Sequence, residues 1–123
     1  MKLGGKNLPS ETCRQVGSVL EQIGNKWAIL IMVILSQRPR YFNELRREIA
    51  VITQKVLTST LRGLERDGYV SRTILDGNVV QVEYALTRLG HEVLEPMNGL
   101  ATWALKRREQ IEDARRRYDM AIG

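Results

Sequence analysis

The sequence predicts a mainly α-helical domain with a small β-hairpin, on three observations. Apolar side chains recur at spacings of three and four through most of the 123 residues. The period falls to two between Tyr69 and Leu86, where β-branched and aromatic residues gather. Within that stretch Asp76-Gly77-Asn78 supplies a turn between two β-type runs. The expected order is helix, helix, short helix, tight turn, helix, hairpin, long helix.

Residues 1–11 read as a flexible arm, with Gly4-Gly5 and Pro9-Ser10 as breakers, ahead of a single domain over 12–123. Ser10 or Thr12 is expected to cap a first helix carrying Val16, Leu20 and Ile23, which Gly24-Asn25 ends. A second helix from Lys26 to about Gln37 is apolar nearly all round, so it should be buried on several sides. Arg38-Pro39 stops it, because proline removes a donor and biases the preceding residue away from helical angles. Phe42, Leu45 and Ile49 mark the buried side of a short third helix. After Ala50-Val51-Ile52, Thr53 is placed to cap a fourth helix that runs to about Asp67, with Val56, Leu57, Leu61 and Leu64 inward. Gly68 then ends it. Strands are expected over Tyr69 to Leu75 and Val79 to Leu86. From Thr87 the pattern is helical to about Tyr118, with Pro96 expected to kink or restart the helix.

A net charge of +5 favours a polyanionic partner, although many soluble chains of this size are mildly basic. Cys13 is the sole cysteine, so neither an intrachain disulfide nor a cysteine zinc site can form. The longest apolar run, Trp27 to Leu35, is nine residues, against roughly 20 needed to span a bilayer. With no signal-like apolar stretch at the N-terminus, the expectation is a cytoplasmic protein with no membrane partner and no cofactor.

Residues Phe42 to Gly68 carry the functional reading. Two helices joined by a tight turn, the second starting on a cap and showing a polar outer face, fit a helix-turn-helix; the hairpin behind makes it a winged helix-turn-helix. The outer face would show Gln54, Lys55, Thr58, Ser59, Arg62 and Arg66, with Thr53 at its start. Gln, Lys and Arg meet base edges or phosphates, and Ser and Thr are short enough to let a helix settle into the major groove of double-stranded DNA. No acidic residue falls on this face before Glu65, and a carboxylate there would be repelled by phosphate. Between Arg38 and Asp67 there are seven basic and four acidic residues, a net +3. Arg40, Arg46, Arg47 and Arg72, with Gly77 and Asn78 at the wing tip, are expected near the DNA backbone. The competing reading of the face is an ordinary solvated helix.

The same residues resemble the HxlR family of bacterial winged-helix regulators, over roughly residues 12–105. The resemblance includes Cys13, Ile23-Gly24-Asn25-Lys26-Trp27, Arg40-Tyr41-Phe42-Asn43-Glu44-Leu45-Arg46-Arg47 and Ile52-Thr53-Gln54-Lys55-Val56-Leu57-Thr58. It continues through Leu61-Arg62-Gly63-Leu64-Glu65-Arg66-Asp67-Gly68 and Val82-Glu83-Tyr84-Ala85-Leu86-Thr87, with Gly90 shortly after. It implies a dimeric repressor or activator whose fourth helix reads the major groove. It also implies an interface built from an extra N-terminal helix and a long C-terminal dimerisation helix, about 12–23 and 88–118. Three positions depart from the family pattern: Arg14 where proline is frequent, Ala50-Val51 in place of a glycine-containing turn, and Val79-Val80-Gln81 in place of a Pro-Pro-basic wing.

The residues support the interface too. Met97, Ala104, Ile111 and Tyr118 are seven apart, and with Leu100, Trp103, Val16 and Leu20 they offer more apolar surface than a small domain leaves wet. Cys13, near a helix start beside Arg14, is a candidate redox sensor, weighed against a small side chain filling a helix interface. A small-molecule effector or oxidant is therefore a candidate partner beside DNA and a second copy. His91, the one histidine, reads as a solvent-facing residue, and Trp27 and Trp103 as packing anchors. The tail, Lys106-Arg107-Arg108 and Arg115-Arg116-Arg117, is interleaved with carboxylates and reads as a solvated helix. Neither a Ser-His-Asp set, a glycine-rich phosphate loop nor an HExxH motif occurs, so catalysis is not expected. The alternative function is a winged-helix protein-interaction module that does not read DNA sequence.

Overall fold

A computed structural model describes residues 2–122. The chain opens with a small antiparallel hairpin, β1 (Lys2–Leu3) and β2 (Lys6–Asn7), in what was expected to be a flexible arm. Its two-residue turn uses Gly4 and Gly5 at φ of 61° and 79°, the left-handed region where a side chain would be strained. Helix α1 (Ser10–Ile23) follows. Neither Ser10 nor Thr12 caps it. Pro9 holds the N-cap position, its carbonyl accepting the Cys13 N–H at 3.0 Å, so Ser10 already lies in the first turn.

Helix α2 (Lys26–Gln37) has the expected bounds. Asn25 caps it through its side-chain oxygen, which accepts the N–H groups of Trp27 and Ala28. Its Ala28, Ile31, Met32 and Leu35 are buried, and it packs against every later helix of the chain and against the hairpin, which makes it the hub of the core. A two-residue strand, β3 (Arg40–Tyr41), then leads into α3 (Phe42–Ile49), α4 (Gln54–Arg66), β4 (Val70–Leu75), β5 (Gln81–Leu86) and α5 (Arg88–Ile122). The sheet has the order β3-β5-β4, all antiparallel, with Val70 opposite Leu86 and Leu75 opposite Gln81.

Two expectations about the hairpin and the last helix need correcting. The return strand begins at Gln81, not Val79, so residues 76–80 form a five-residue loop. The tight turn suggested by Asp76-Gly77 would need positive φ at both central residues, and neither adopts it. Pro96 neither ends nor restarts α5. Its missing N–H leaves one backbone carbonyl unpaired, and Pro96 lies exposed, where water can satisfy that group.

The junction between wing and α5 is tightly tied. Thr87 donates its N–H to the Tyr69 carbonyl at 3.0 Å and its hydroxyl to the Gly68 carbonyl at 2.6 Å. The same hydroxyl accepts the Gly90 N–H at 3.1 Å. Gly90 is buried, and a Cβ there would overlap the Tyr69 carbonyl oxygen.

Candidate nucleic-acid interface

The two helices of the motif are set by their turn. Leu45 and Ile49 of α3 and Ile52 of the turn are buried, pinning both sides of Ala50-Val51 to the core. Ala50 takes φ 38° and ψ −50°, and Val51 N–H bonds back to the Ile49 carbonyl: a γ-turn of the rare positive-φ kind. An L-residue is strained there by about 1–3 kcal/mol, which glycine would relieve. Because glycine also loses more backbone entropy on folding, Ala50→Gly is expected to raise stability by a net ~1 kcal/mol. A thermal melt should show an increase of a few degrees, and a decrease would contradict the strain.

Thr53 caps α4 as expected, its Oγ1 accepting the Val56 N–H at 3.2 Å. Leu57, Leu61 and Leu64 are buried as expected, Val56 is half-buried, and Thr60 joins the buried side, donating its hydroxyl to the Val56 carbonyl. Gly68, at φ 85°, ends the helix, with Tyr69 N–H bonded to the Leu64 carbonyl. The opposite face brings Gln54, Lys55, Thr58, Ser59 and Arg62 together around one shallow, open depression. Arg46 of α3 reaches that face and donates to Gln54 Oε1 at 3.3 Å. Arg47 is exposed further along α3, while Arg72 on β4 leans back to Glu65 of α4 at 3.4 Å. Gly77 and Asn78 are exposed at the wing tip.

Arg40 must leave the list of expected DNA contacts. It is 5% exposed, its Nε donates to both Glu48 oxygens at 3.1 Å, and Nη1 donates to the Arg38 carbonyl at 2.8 Å. Its guanidinium is spent inside the protein, joining the end of α2 to α3. Nearby, Glu44 accepts from Arg38 Nη2 at 2.8 Å and from the Tyr41 N–H at 3.0 Å. The Arg38 guanidinium first, and that backbone donor second, hold the Glu44 carboxyl down to about 2. Neither Glu44 nor Glu48 was foreseen as a support, since nothing in a charge pattern says which carboxylate a given arginine will meet.

Of the surface expected to pair with a second copy, the structure leaves part exposed and buries one residue within the chain's own core. Helix α1 has no buried residue, and its Val16 and Leu20 are half-buried and exposed, respectively. On α5, Leu100, Trp103 and Ala104 are exposed and Ile111 half-buried. Met97 is different: at 4% exposure it belongs to the protomer's own core, beside Leu94. Cys13 is half-buried on α1, its thiol 3.9 Å from the Leu8 carbonyl. His91 is exposed, and among the described residues no cluster of metal-ligating side chains occurs. No single described helix is long and apolar enough to cross a membrane.

A capped helix with a basic, carboxylate-poor outer face, set on a second helix and backed by a hairpin, is the DNA-reading unit of a winged helix-turn-helix regulator. The chain belongs to the HxlR-like helix-turn-helix family, whose model matches residues 22–112. It is 37% identical over 97 residues to YtfH of Escherichia coli, an uncharacterized HTH-type transcriptional regulator, covering 79% of this chain and 76% of that one. A structure of the YtfH regulator of Salmonella typhimurium superposes with a TM-score of 0.73 at 32% identity, covering 82% of this chain and 90% of that one. The redox regulator HypR in its reduced form superposes with a TM-score of 0.72 at 33% identity, covering 80% and 98%. The protein is therefore a helix-turn-helix transcriptional regulator with a winged-helix fold.

Proposed function

We propose that the protein acts as a cytoplasmic homodimer that binds an inverted-repeat operator, and that it does no catalysis. The observation that carries this is the single face formed by Gln54, Lys55, Thr58, Ser59 and Arg62, opposite the buried leucines of α4. The N-terminal half of α4 enters the major groove, where Lys55 is placed to read guanine and Gln54, Thr58 and Ser59 lie against neighbouring base edges. Arg46, Arg47 and Arg72 meet phosphates and give affinity without sequence preference. Two copies related by a two-fold axis need half-sites about one helical turn, roughly 34 Å, apart. The relatives named as transcriptional regulators, such as YtfH of Escherichia coli and YkvN of Bacillus subtilis, support a binding role over an enzymatic one. The name of the redox regulator HypR supports an oxidant as effector, and Cys13, the sole cysteine, on a helix expected at the dimer interface, is where it would act.

Titration of two variants on operator and scrambled DNA, at two salt concentrations, tests the reading. Lys55→Ala should lose about 1–3 kcal/mol of discrimination between the two DNAs. Arg47→Ala should weaken binding to both alike and flatten the salt dependence by about one phosphate contact. Equal loss on both DNAs for Lys55→Ala would overturn the groove assignment, and no loss for either variant would remove α4 as the reader.

A further inference from the structure

A second concave surface lies beside the reading face, between the start of α3 and the 79–82 limb of the wing. Its volume is about 410 Å³, within the usual range of small-molecule sites. Phe42 and Val82 are half-buried in its walls, and Val79 and Val80 stand at its rim, 71% and 66% exposed. These two valines lie outside the β4–β5 ladder and outside the protomer core, so the fold gives them no packing role. The charge of the cleft is equally specific. Glu44, its one carboxylate, is already paired with Arg38 and the Tyr41 N–H. Arg47 also lines the cleft and makes no ion pair among the described residues. The result is a cleft of mixed lining, in which Phe42, Val79, Val80 and Val82 form an apolar strip beside the polar Tyr41, Asn43 and Gln81, with one positive charge that no carboxylate pairs.

We infer that this cleft binds a small apolar monocarboxylate, seated with its carboxylate on Arg47 and its hydrocarbon part against Phe42, Val79, Val80 and Val82. An aliphatic chain satisfies the valines and a single anion satisfies the guanidinium, whereas a DNA phosphate would satisfy only the second. The inference deepens the DNA-binding reading in one respect: an Arg47 held by a ligand is withdrawn from phosphate, so the ligand acts as a releaser.

Calorimetric titration of the full chain without DNA tests the site itself, with octanoate as probe and acetate and 1-octanol as controls. Octanoate should bind once per chain, with acetate and octanol at least about tenfold weaker, since each lacks one half of the match. Arg47→Gln and Val80→Asp, both surface changes, should each weaken octanoate about tenfold while leaving the melting curve unaltered. Failure of octanoate to bind, or undiminished binding by both variants, overturns the proposal. A DNA titration with and without octanoate then separates the two readings. Loss of DNA affinity supports the releaser role, and binding in the free protein with DNA affinity unchanged keeps the site but removes Arg47 from the phosphate contacts.

Discussion

Replacing Gly90 by alanine is expected to destabilise the protein by about 3 kcal/mol, the upper end of what overpacking by one methyl group costs. For a chain of this size that corresponds to a fall in melting temperature of roughly 10–15 °C. The reason is the neighbour. An added Cβ would overlap the Tyr69 carbonyl oxygen and lie 3.0 Å from Leu86 Cδ2, and a backbone carbonyl that already accepts the Thr87 N–H cannot turn aside as a side chain would. Gly99, later in the same helix, provides the control. It is exposed with nothing within 4 Å of its hypothetical Cβ, so Gly99→Ala should stabilise by up to ~1 kcal/mol through helix propensity. Differential melts of the two variants check both signs together. A Gly90→Ala protein that melts with the native one would mean that α5 can move away from the Tyr69 carbonyl at little cost.

Removal of the protruding part of α5 should have the largest effect on DNA binding. A stop after Gly99 deletes Leu100, Trp103, Ala104 and Ile111 yet keeps Met97 and Leu94, which the core needs. The shortened chain is expected to fold, to sediment as a monomer at micromolar concentration, and to bind an inverted repeat about 10²–10⁴-fold more weakly, because the second half-site no longer benefits from tethering. A stop after Pro96 is expected to give unfolded or insoluble protein instead, since it also removes Met97. Sedimentation and circular dichroism of the two truncations distinguish loss of pairing from loss of the core. A full-length chain that is monomeric, or a Gly99-truncated chain that remains dimeric, would defeat the proposed interface.

Most of the helical frame could be read from the residues because its ends carry chemistry. Pro39 stops α2 and Thr53 and Gly68 bracket α4, each through a local rule that tertiary contacts did not override, while Asn25, read only as ending α1, also caps α2. What escaped has no local rule. Strand β3 is two residues long, too short for any period, and exists because β5 offers it an edge at Tyr84 and Glu83. That strand also decides the fate of Arg40. As one of several arginines it counted toward the DNA-facing charge, but pairing in the sheet turns it inward toward Glu48. Met97 fails in the opposite way: it begins a true seven-residue stripe, yet the first turns of α5 lie on the core, so the stripe starts inside the fold and runs on beyond it. Five of the six positions expected on the outer face of α4, namely 54, 55, 58, 59 and 62, stand side by side because helical geometry alone places them so, whereas Arg66 turns away toward Ser18, Glu21 and Gln22 of α1.

The Thr87 hydroxyl, shared between the Gly68 carbonyl and the Gly90 amide, leaves no free linker between the end of α4 and the start of α5. In the proposed dimer, the angle at which α4 meets a duplex would be slaved to the angle at which two α5 helices pair. A DNA half-site moved by one base pair turns about 35° around the duplex axis and shifts ~3.4 Å along it. With no swivel to absorb that rotation, the regulator would sort inverted repeats by the spacer between them as strictly as by the bases within them.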